Sequence, residues 1–287
     1  MHISASQLST FKECQRKWYF AYIIKRVKPS TDAMFKGTLF HKIFELHYKD
    51  NYDFPALVAY ADKVAADKPA IKASVLGAFR KYKHKYPKRL ESIKRDENDA
   101  PMCETGFTIK YSDDVDVIGF IDYLSTRTVK SYIVDIKVTA MGLTGWYFQG
   151  FELSYQTMLY SYVCSKLFPD INGFMIDAIQ LKQNKIKEDT VDFATQFFPL
   201  SNNVESFERE LHEIIHHIST YRESGKECFS HNYCSCVTKY GRCPYYNICL
   251  MDEEVQEEAL LMDDRYEVKG SREENDKKME ANPVITI

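Results

Sequence analysis

The sequence predicts an α/β protein whose first strands lie in the middle of the chain. Three short runs at 103–111, 115–125 and 130–139 are rich in Val, Ile, Phe and Tyr, which is typical of strands in a partly buried sheet. Longer stretches before and after these runs have the length and apolar spacing of helices. The predicted order is helices, three strands, a helix, two strands and a last helix.

Each element can be placed along the chain. The predicted helices are Ser6–Tyr22, Lys36–Lys49, Pro55–Asp67, Ile71–Tyr86, Gly145–Leu167 and Val204–Tyr221. The predicted strands are Cys103–Tyr111, Val115–Ser125, Lys130–Thr139, Gly173–Leu181 and Thr190–Pro199. Turns rich in Asp, Ser and Thr separate the central strands, as expected between strands.

Four polar side chains within or near these strands predict a metal site. Asp135 and Lys137 are two residues apart on one strand, so they point to the same face of the sheet. Asp122 lies on the preceding strand, and His41 lies on an upstream helix. A buried carboxylate such as Asp135 is costly unless a cation compensates its charge. These residues therefore predict a bound cation.

The chemistry of this set is that of phosphodiester hydrolysis. Two carboxylates are hard oxygen ligands suited to Mg²⁺ or Mn²⁺, which polarise a phosphoryl oxygen and acidify a bound water. A lysine beside them can orient that water and stabilise the charge that develops on the phosphate. The backbone carbonyl of Ile136 offers one further oxygen. Any single motif of this kind is weak evidence, because short patterns match by chance.

Five motifs in order together carry a family resemblance. They are GTLFHKIFE (Gly37–Glu45), Glu104, GFID (Gly119–Asp122), VDIKVT (Val134–Thr139) and QTMLY (Gln156–Tyr160). The chain resembles the PD-(D/E)XK nuclease superfamily and, within it, the RecB-type exonucleases, which include helicase–nuclease subunits, CRISPR-associated nucleases and phage proteins. The resemblance implies a restriction-endonuclease-like α/β/α core with a central mixed sheet.

The resemblance also implies a role for each matching residue. His41, Asp122 and Asp135, with the carbonyl of Ile136, would hold the metal, and Lys137 would be the catalytic lysine. Two more catalytic positions are implied on the helix of the last motif. They are Gln156 and Tyr160, which are four residues apart on one helical face and would line the site and contact the nucleic acid strand. Two acidic residues are less decided: Glu45 would orient the His41 imidazole, and Glu104 is either functional or simply exposed.

Eight cysteines and no apolar leader at the start of the chain indicate a reducing compartment, where thiols bind metals rather than pair. Cys236, Cys243 and Cys249 have the spacing C-x6-C-x5-C, and Cys14 lies near the start. The resemblance to iron–sulfur RecB-type nucleases implies a [4Fe–4S] cluster on these four thiols. Two alternatives stay open: Cys234 in place of Cys236, and zinc in place of iron–sulfur, because four thiolates also suit tetrahedral Zn²⁺.

Length and charge fit a single nuclease domain at 1–260. Within it, 1–30 and 226–252 would be joined by the metal cluster, 36–100 would be a helical insertion and 101–200 the catalytic core. Residues 261–287 would form a flexible acidic tail. The whole chain has a net charge of −3, but residues 251–287 contribute −7 of it, so the remainder carries about +4. A mildly basic folded part is compatible with a nucleic-acid substrate.

The basic segment Phe79–Arg95 has two interpretations. Its lysines and arginines, with Tyr82 and Tyr86 between them, could follow a phosphate backbone while the rings stack on bases. The same pattern is also typical of a solvated helix face, and the sequence does not decide between them.

The function that follows is a metal-dependent deoxyribonuclease, and the resemblance to the iron–sulfur members implies an exonuclease on single-stranded or end-frayed DNA. Its setting would be recombination, repair, phage DNA metabolism or CRISPR adaptation, in the cytoplasm of a bacterial, archaeal or phage-infected cell. A helicase, recombinase or adaptation subunit is the expected protein partner, and no apolar stretch is long enough to span a membrane. The alternative is a non-catalytic or partner-dependent DNA-binding subunit. The complete set of catalytic residues disfavours it.

Overall fold

The computed structural model of the chain describes residues 1–127, 130–168, 170–182, 190–238, 241–269 and 284–286. The helices in this part are α1 Ala5–Glu13, α2 Gln15–Tyr22, α3 Asp32–Tyr48, α4 Phe54–Val64, α5 Pro69–Lys85, α6 Arg89–Ser92, α7 Gly145–Glu152, α8 Tyr155–Leu167, α9 Val204–Ser224, α10 Tyr246–Cys249 and α11 Gln256–Met262. The strands are β1 His2–Ile3, β2 Arg26–Val27, β3 Cys103–Ser112, β4 Val115–Arg127, β5 Lys130–Thr139, β6 Ile171–Lys182, β7 Thr190–Pro199, β8 Val237–Thr238, β9 Gly241–Arg242, β10 Glu267–Val268 and β11 Val284–Thr286.

The chain forms two compact units. The sheet unit contains Ser30–Lys110, Ile118–Asn202 and the described end of the chain at 284–286. The terminal unit contains Met1–Pro29, Tyr111–Val117 and the described residues from 203 to 269. The single-domain interpretation of the sequence stays a prediction.

A mixed sheet is the centre of the sheet unit. Its strand order is β11-β3-β4-β5-β6-β7. Strands β4 and β5 are antiparallel, β5 and β6 are parallel, and β6 and β7 are antiparallel. The parallel pair needs a crossover, which α7 and α8 provide. The predicted α/β class with a central mixed sheet is therefore confirmed.

Helices pack on both faces of this sheet. On one face, Phe40 and Phe44 of α3 and Phe79 of α5 form a buried cluster with strand residues such as Tyr123 and Ile136. On the other face, Tyr160 of α8 lies against Phe174 of β6, with 5.4 Å between ring centroids. Since side chains alternate along β5, Val134 and Ile136 enter the first core while Asp135 and Lys137 face α8.

Local capping explains where the helices begin and break. The side chains of Thr31 and Asp53 accept hydrogen bonds from the N–H groups of Met34 and Ala56, which start α3 and α4. The predicted helix Gly145–Leu167 is two helices, because Ser154 caps a new one by accepting from Thr157 N–H. The predicted helix Ser6–Tyr22 is also divided, at an extended residue, Cys14.

The terminal unit joins the beginning of the chain to residues after 203. Trp18 of α2 stacks on Phe229 with 5.7 Å between ring centroids. Arg16 is buried and its guanidinium pairs with Glu253. Strand β1 pairs in parallel with the first residues of β4, where Ile3 faces Val117. Segments far apart in sequence thus share one core.

The flexible tail predicted at 261–287 would begin before the packed part of the chain ends. Tyr266 is buried, stacks on Tyr245 and donates a hydrogen bond to the carbonyl of Pro244. Strand β10 pairs with β2 directly afterwards. The acidic stretch at 270–283 lies outside the described residues. Among the described helices, none combines the length and apolar character required to cross a bilayer.

Gly119 of the GFID motif is explained by a close approach between two strands. A Cβ placed there would lie 2.4 Å from Cζ of Phe107 on β3. Phe107 is fully buried and packs edge to face on Tyr160, so its ring has little room to move. Only glycine lets this ring lie across β4.

We expect Gly119→Ala to lower the free energy of unfolding by about 1–3 kcal/mol, the usual cost of overpacking a core. The measurement is the urea unfolding midpoint followed by circular dichroism. Gly77→Ala is the matched control, because Gly77 is exposed within α5 and a Cβ there would meet nothing within 4 Å. Alanine should stabilise that helix by up to about 1 kcal/mol. Unchanged stability of Gly119→Ala would contradict the packing argument.

Candidate metal-dependent active site

Three side chains that could hold a metal ion meet in the sheet unit. His41 on α3, Glu104 on β3 and Asp122 on β4 place their donor atoms within 4.8 Å of one another. Nδ1 of His41 is 3.2 Å from Asp122 Oδ1 and 3.9 Å from Glu104 Oε1. The other oxygen of Asp122 accepts a hydrogen bond from the N–H of Ile136 at 2.6 Å. One helix and two strands therefore converge on a single point.

Asp135 and Lys137 extend this group along β5. Lys137 Nζ is 2.7 Å from Asp135 Oδ2, and both residues face α8 as their spacing predicts. Gln156 of α8 bridges them: its amide nitrogen donates to Asp135 Oδ1 at 2.7 Å, and its oxygen accepts from Lys137 at 2.9 Å. The amide is thereby oriented, with its donor toward the carboxylate and its acceptor toward the ammonium group.

Tyr160 lies behind Gln156, and this corrects one expectation. Its hydroxyl accepts from the Gln156 amide at 3.1 Å and donates to the carbonyl of Phe120 at 3.0 Å. The side chain is only 4% exposed. Tyr160 therefore positions Gln156, and the expectation that it contacts a nucleic acid strand is wrong for lack of access.

Two buried carboxylates dominate the electrostatics. Burial raises the pKa of Asp135 to about 6, with a further contribution from the nearby Asp122 charge. Burial alone would also raise the pKa of Asp122, but the His41 cation outweighs it and the pKa is lowered. Burial lowers the pKa of His41, but Asp122 and Glu104 more than reverse this and raise it to about 10. Likewise burial lowers the pKa of Lys137, but Asp135 reverses the effect and the pKa is raised.

Glu104 lies in the same group as His41 and Asp122, whereas the sequence left its role undecided. It is buried, and its backbone has φ of +50°, in the left-handed region that residues other than glycine rarely adopt. The sequence signal that could have favoured it is its place among apolar residues at the start of a strand. The expected contact of Glu45 with His41 is not formed, because Glu45 pairs with Lys42 at 2.7 Å and with Lys49 at 3.9 Å.

The four cysteines singled out from the sequence all lie in the terminal unit and near one another. Burial, together with the charges of Cys243, Cys14 and Cys236, raises the pKa of Cys249 to about 12. The N–H of Asn232 donates to the sulfur of Cys14 at 3.4 Å. Cys234 is exposed. Among the described residues, no three cysteine sulfurs lie within 4.8 Å of one another.

The fold and this convergence of a histidine, acidic residues and a lysine define a class of metal-dependent phosphodiester hydrolases. A family model for the PD-(D/E)XK nuclease superfamily matches residues 2–250. Because the match covers most of the chain, the protein belongs to the PD-(D/E)XK nuclease superfamily.

Comparison with individual proteins gives less information than the family model does. A solved structure from Eubacterium rectale, provisionally named an exonuclease, is 12% identical, covers 88% of this chain and 93% of its own, and has a TM-score of 0.48. At that score the likeness carries no argument about the site. The search of curated proteins gave no match.

Metal binding at this site should release a proton. His41 has a raised pKa of about 10, so its imidazole is protonated at pH 7, whereas a metal ligand must be neutral. We therefore expect about one proton released per Mn²⁺ at pH 7, and an affinity that rises about tenfold per pH unit between pH 7 and 9. Titration calorimetry in two buffers of different ionisation enthalpy measures both quantities.

His41→Asn should bind Mn²⁺ more weakly and release almost no proton. The matched control is His84→Asn, because His84 is an exposed histidine on α5 of the same unit. It should behave as the unaltered protein does. An affinity independent of pH between 7 and 9 would show that His41 does not lose a proton to the metal.

Proposed function

We propose that this protein is a metal-dependent deoxyribonuclease that hydrolyses phosphodiester bonds at the site formed by His41, Asp122, Asp135 and Lys137. The observation that carries the proposal is the meeting of these groups in one partly buried site of a chain that belongs to a nuclease superfamily. The complete set disfavours a role as a purely DNA-binding subunit.

The donor set fits a small hard cation. Carboxylate oxygens with one imidazole suit Mg²⁺ or Mn²⁺. Oδ2 of Asp135 is buried and accepts no aligned hydrogen bond from the described residues, although Lys137 Nζ is close. A buried carboxylate oxygen that accepts no aligned hydrogen bond is free to act as a ligand to a cation. We assign metal binding to His41, Asp122, Asp135 and the carbonyl of Ile136, and add Glu104.

Lys137 supplies the permanent positive charge. A bound divalent ion would contribute Lewis-acid polarisation of the phosphate and a lowered pKa for a bound water. Because the pKa of Lys137 is raised, its ammonium group keeps its proton at neutral pH and acts as a hydrogen-bond donor rather than a general base. Gln156 fixes its position at 2.9 Å. Lys137 is then placed to orient water and to stabilise charge on the phosphate.

For the substrate, we propose DNA ends and single strands, because the motifs resemble those of RecB-type exonucleases. The setting that follows from the same resemblance is recombination, repair, phage DNA metabolism or CRISPR adaptation in the cytoplasm, with a helicase, recombinase or adaptation subunit as partner. All eight cysteines are free thiols, which fits a reducing compartment.

We also propose a [4Fe–4S] cluster on Cys14, Cys236, Cys243 and Cys249. Four thiolates around one Zn²⁺ at 2.3 Å would be only about 3.8 Å apart. No three cysteine sulfurs of the described residues are within 4.8 Å of one another, and what favours iron–sulfur over zinc is the resemblance of the cysteine motif to iron–sulfur RecB-type nucleases. Such a cluster would be structural, because it would join the start of the chain to residues beyond 230 and reduce the entropy of the unfolded chain.

Asp122→Asn, Asp135→Asn and Lys137→Gln should each reduce DNA cleavage by about 10²-fold or more, because each removes a metal ligand or the charge beside the phosphate. End-labelled linear single strands and circular single strands are incubated with Mg²⁺ or Mn²⁺, and the products are resolved on denaturing gels. An exonuclease degrades the linear strands and leaves the circles intact.

The matched control is Asp62→Asn, which removes an exposed carboxylate from the same unit and affects only a surface ion pair with Lys72. Its cleavage rate should equal that of the unaltered protein. Circular dichroism must show that all variants fold. Full cleavage by the three folded site variants would reject the proposed active site.

The cluster is tested by purifying the protein without oxygen. We expect about four iron and four sulfide ions per chain, with visible absorption, and Cys14→Ser should lose the iron and lower the unfolding temperature. Cys228→Ser is the control, since Cys228 is a free thiol of the same unit outside the four. One zinc ion per chain in place of iron would overturn the proposal.

A further inference from the structure

Helix α7 exposes an apolar face that the catalytic residues do not use. Trp146 lies on one side of α7, and Leu153 is the residue that follows the helix as its C-terminal cap. Each of the two is 75% exposed. Gln149 and Gly150, which lie between them in the sequence, are also exposed. These positions are three, four and seven residues from Trp146, so they share one face. A Cβ at Gly150 would meet nothing within 4 Å. The surface beside the indole is therefore open.

The opposite side of α7 contacts the active site. Phe151 lies with its ring centroid 6.0 Å from Nζ of Lys137, and Tyr147 packs edge to face on Phe151 at 5.3 Å. Tyr147 also forms a hydrogen bond with Thr139, two residues after Lys137 on β5. Trp146 directly precedes Tyr147. The exposed indole therefore lies in the first turn of α7, the helix that borders Lys137.

An exposed indole on a helix that borders a phosphate site suits an unpaired nucleobase. Stacking of a base on an aromatic side chain contributes about 1–3 kcal/mol for any of the four bases, because each has a π face. In a duplex these faces are already occupied by neighbouring base pairs. An aromatic platform therefore favours single strands over duplexes without reading sequence.

We propose that Trp146 stacks on an unpaired base of a DNA single strand whose phosphate is held near Lys137, and that it provides the preference for single strands. This inference rests on the proposed function, which it deepens by naming a residue that selects the substrate. Leu153 and the open surface at Gly150 leave room for the base. A protein partner seated on Trp146 is the competing occupant, and the test separates the two.

Tryptophan fluorescence provides a direct test because the chain has two tryptophans and the other, Trp18, is 1% exposed. The full chain with Mn²⁺ is titrated with a phosphorothioate oligothymidylate that resists cleavage, and with a blunt hairpin of the same backbone. We expect the single strand to quench the emission and the hairpin to leave it almost unchanged. Trp146→Ala should lose the quenching and bind the single strand about 5- to 150-fold more weakly, the range for loss of one stacked base.

Two further variants sharpen the result. Trp146→Phe should keep most of the affinity, since a smaller ring still stacks. Met262→Ala removes an equally exposed apolar side chain, 76% exposed and in the terminal unit, and should bind as the unaltered protein does.

The outcomes separate this inference from the proposed function. Cleavage of DNA with equal single-strand binding by Trp146→Ala and the unaltered protein would overturn the stacking role and leave hydrolysis standing. This result is expected if a protein partner covers Trp146. An equal loss of binding for single strand and hairpin would overturn the preference for unpaired bases. Stacking and quenching without cleavage of ordinary DNA would support the role of Trp146 and reject the proposed hydrolysis.

Discussion

Two carboxylates held almost out of water, each beside a cation, are the constraint on which this structure depends. Asp122 is 9% exposed and Asp135 is 2% exposed, and in such surroundings an uncompensated negative charge is strongly unfavourable. His41 lies against the first and Lys137 against the second, at 3.2 and 2.7 Å. Because the two acids also repel one another, a further positive charge would stabilise both in their ionised forms. The site is thereby built to attract a cation before any substrate arrives.

A second buried network fixes the strands from the opposite face of the sheet. Asp177 of β6 is the register partner of Ile136, so it points away from Asp135. Its Oδ2 accepts from Tyr82 at 2.6 Å, from Arg89 at 2.9 Å and from Tyr123 at 3.2 Å. Tyr123 is the residue after Asp122. The buried charge pair between α6 and β6 therefore holds β4 next to Asp122, and hydrogen bonds that converge on one buried carboxylate restrict the motion of the groups that make them.

The sequence predicts most of the sheet but less of what surrounds it. Strands such as Lys130–Thr139 and Thr190–Pro199 have the bounds expected from the pattern, because alternation and β-branched residues report local burial directly. The pairing of Asp135 and Lys137 follows from the same alternation. The convergence with His41 needed the family motifs, since contacts across the chain have no local signal.

Other features escape sequence reasoning for identifiable physical reasons. Tyr82 suggested base stacking, but it is fully buried against Asp177, and a lysine-rich helix does not reveal which of its rings turn inward. The break at Ser154 depends on a hydroxyl that competes for the backbone, a choice that a continuous helical pattern hides. The order around Tyr266 comes from packing on Tyr245, a contact that an acidic composition does not report.

Backbone strain and charge coincide at Glu104. A left-handed backbone at a residue other than glycine costs roughly 1–3 kcal/mol and persists only where the surroundings enforce it. The left-handed turn follows Cys103, which is fully buried, and it brings the carboxylate to 3.9 Å from His41. A regular strand would send this side chain to the face set by alternation alone. An unfavourable conformation that adds a negative charge to an already acidic site is best explained by a ligand that needs that charge, and a divalent cation is such a ligand.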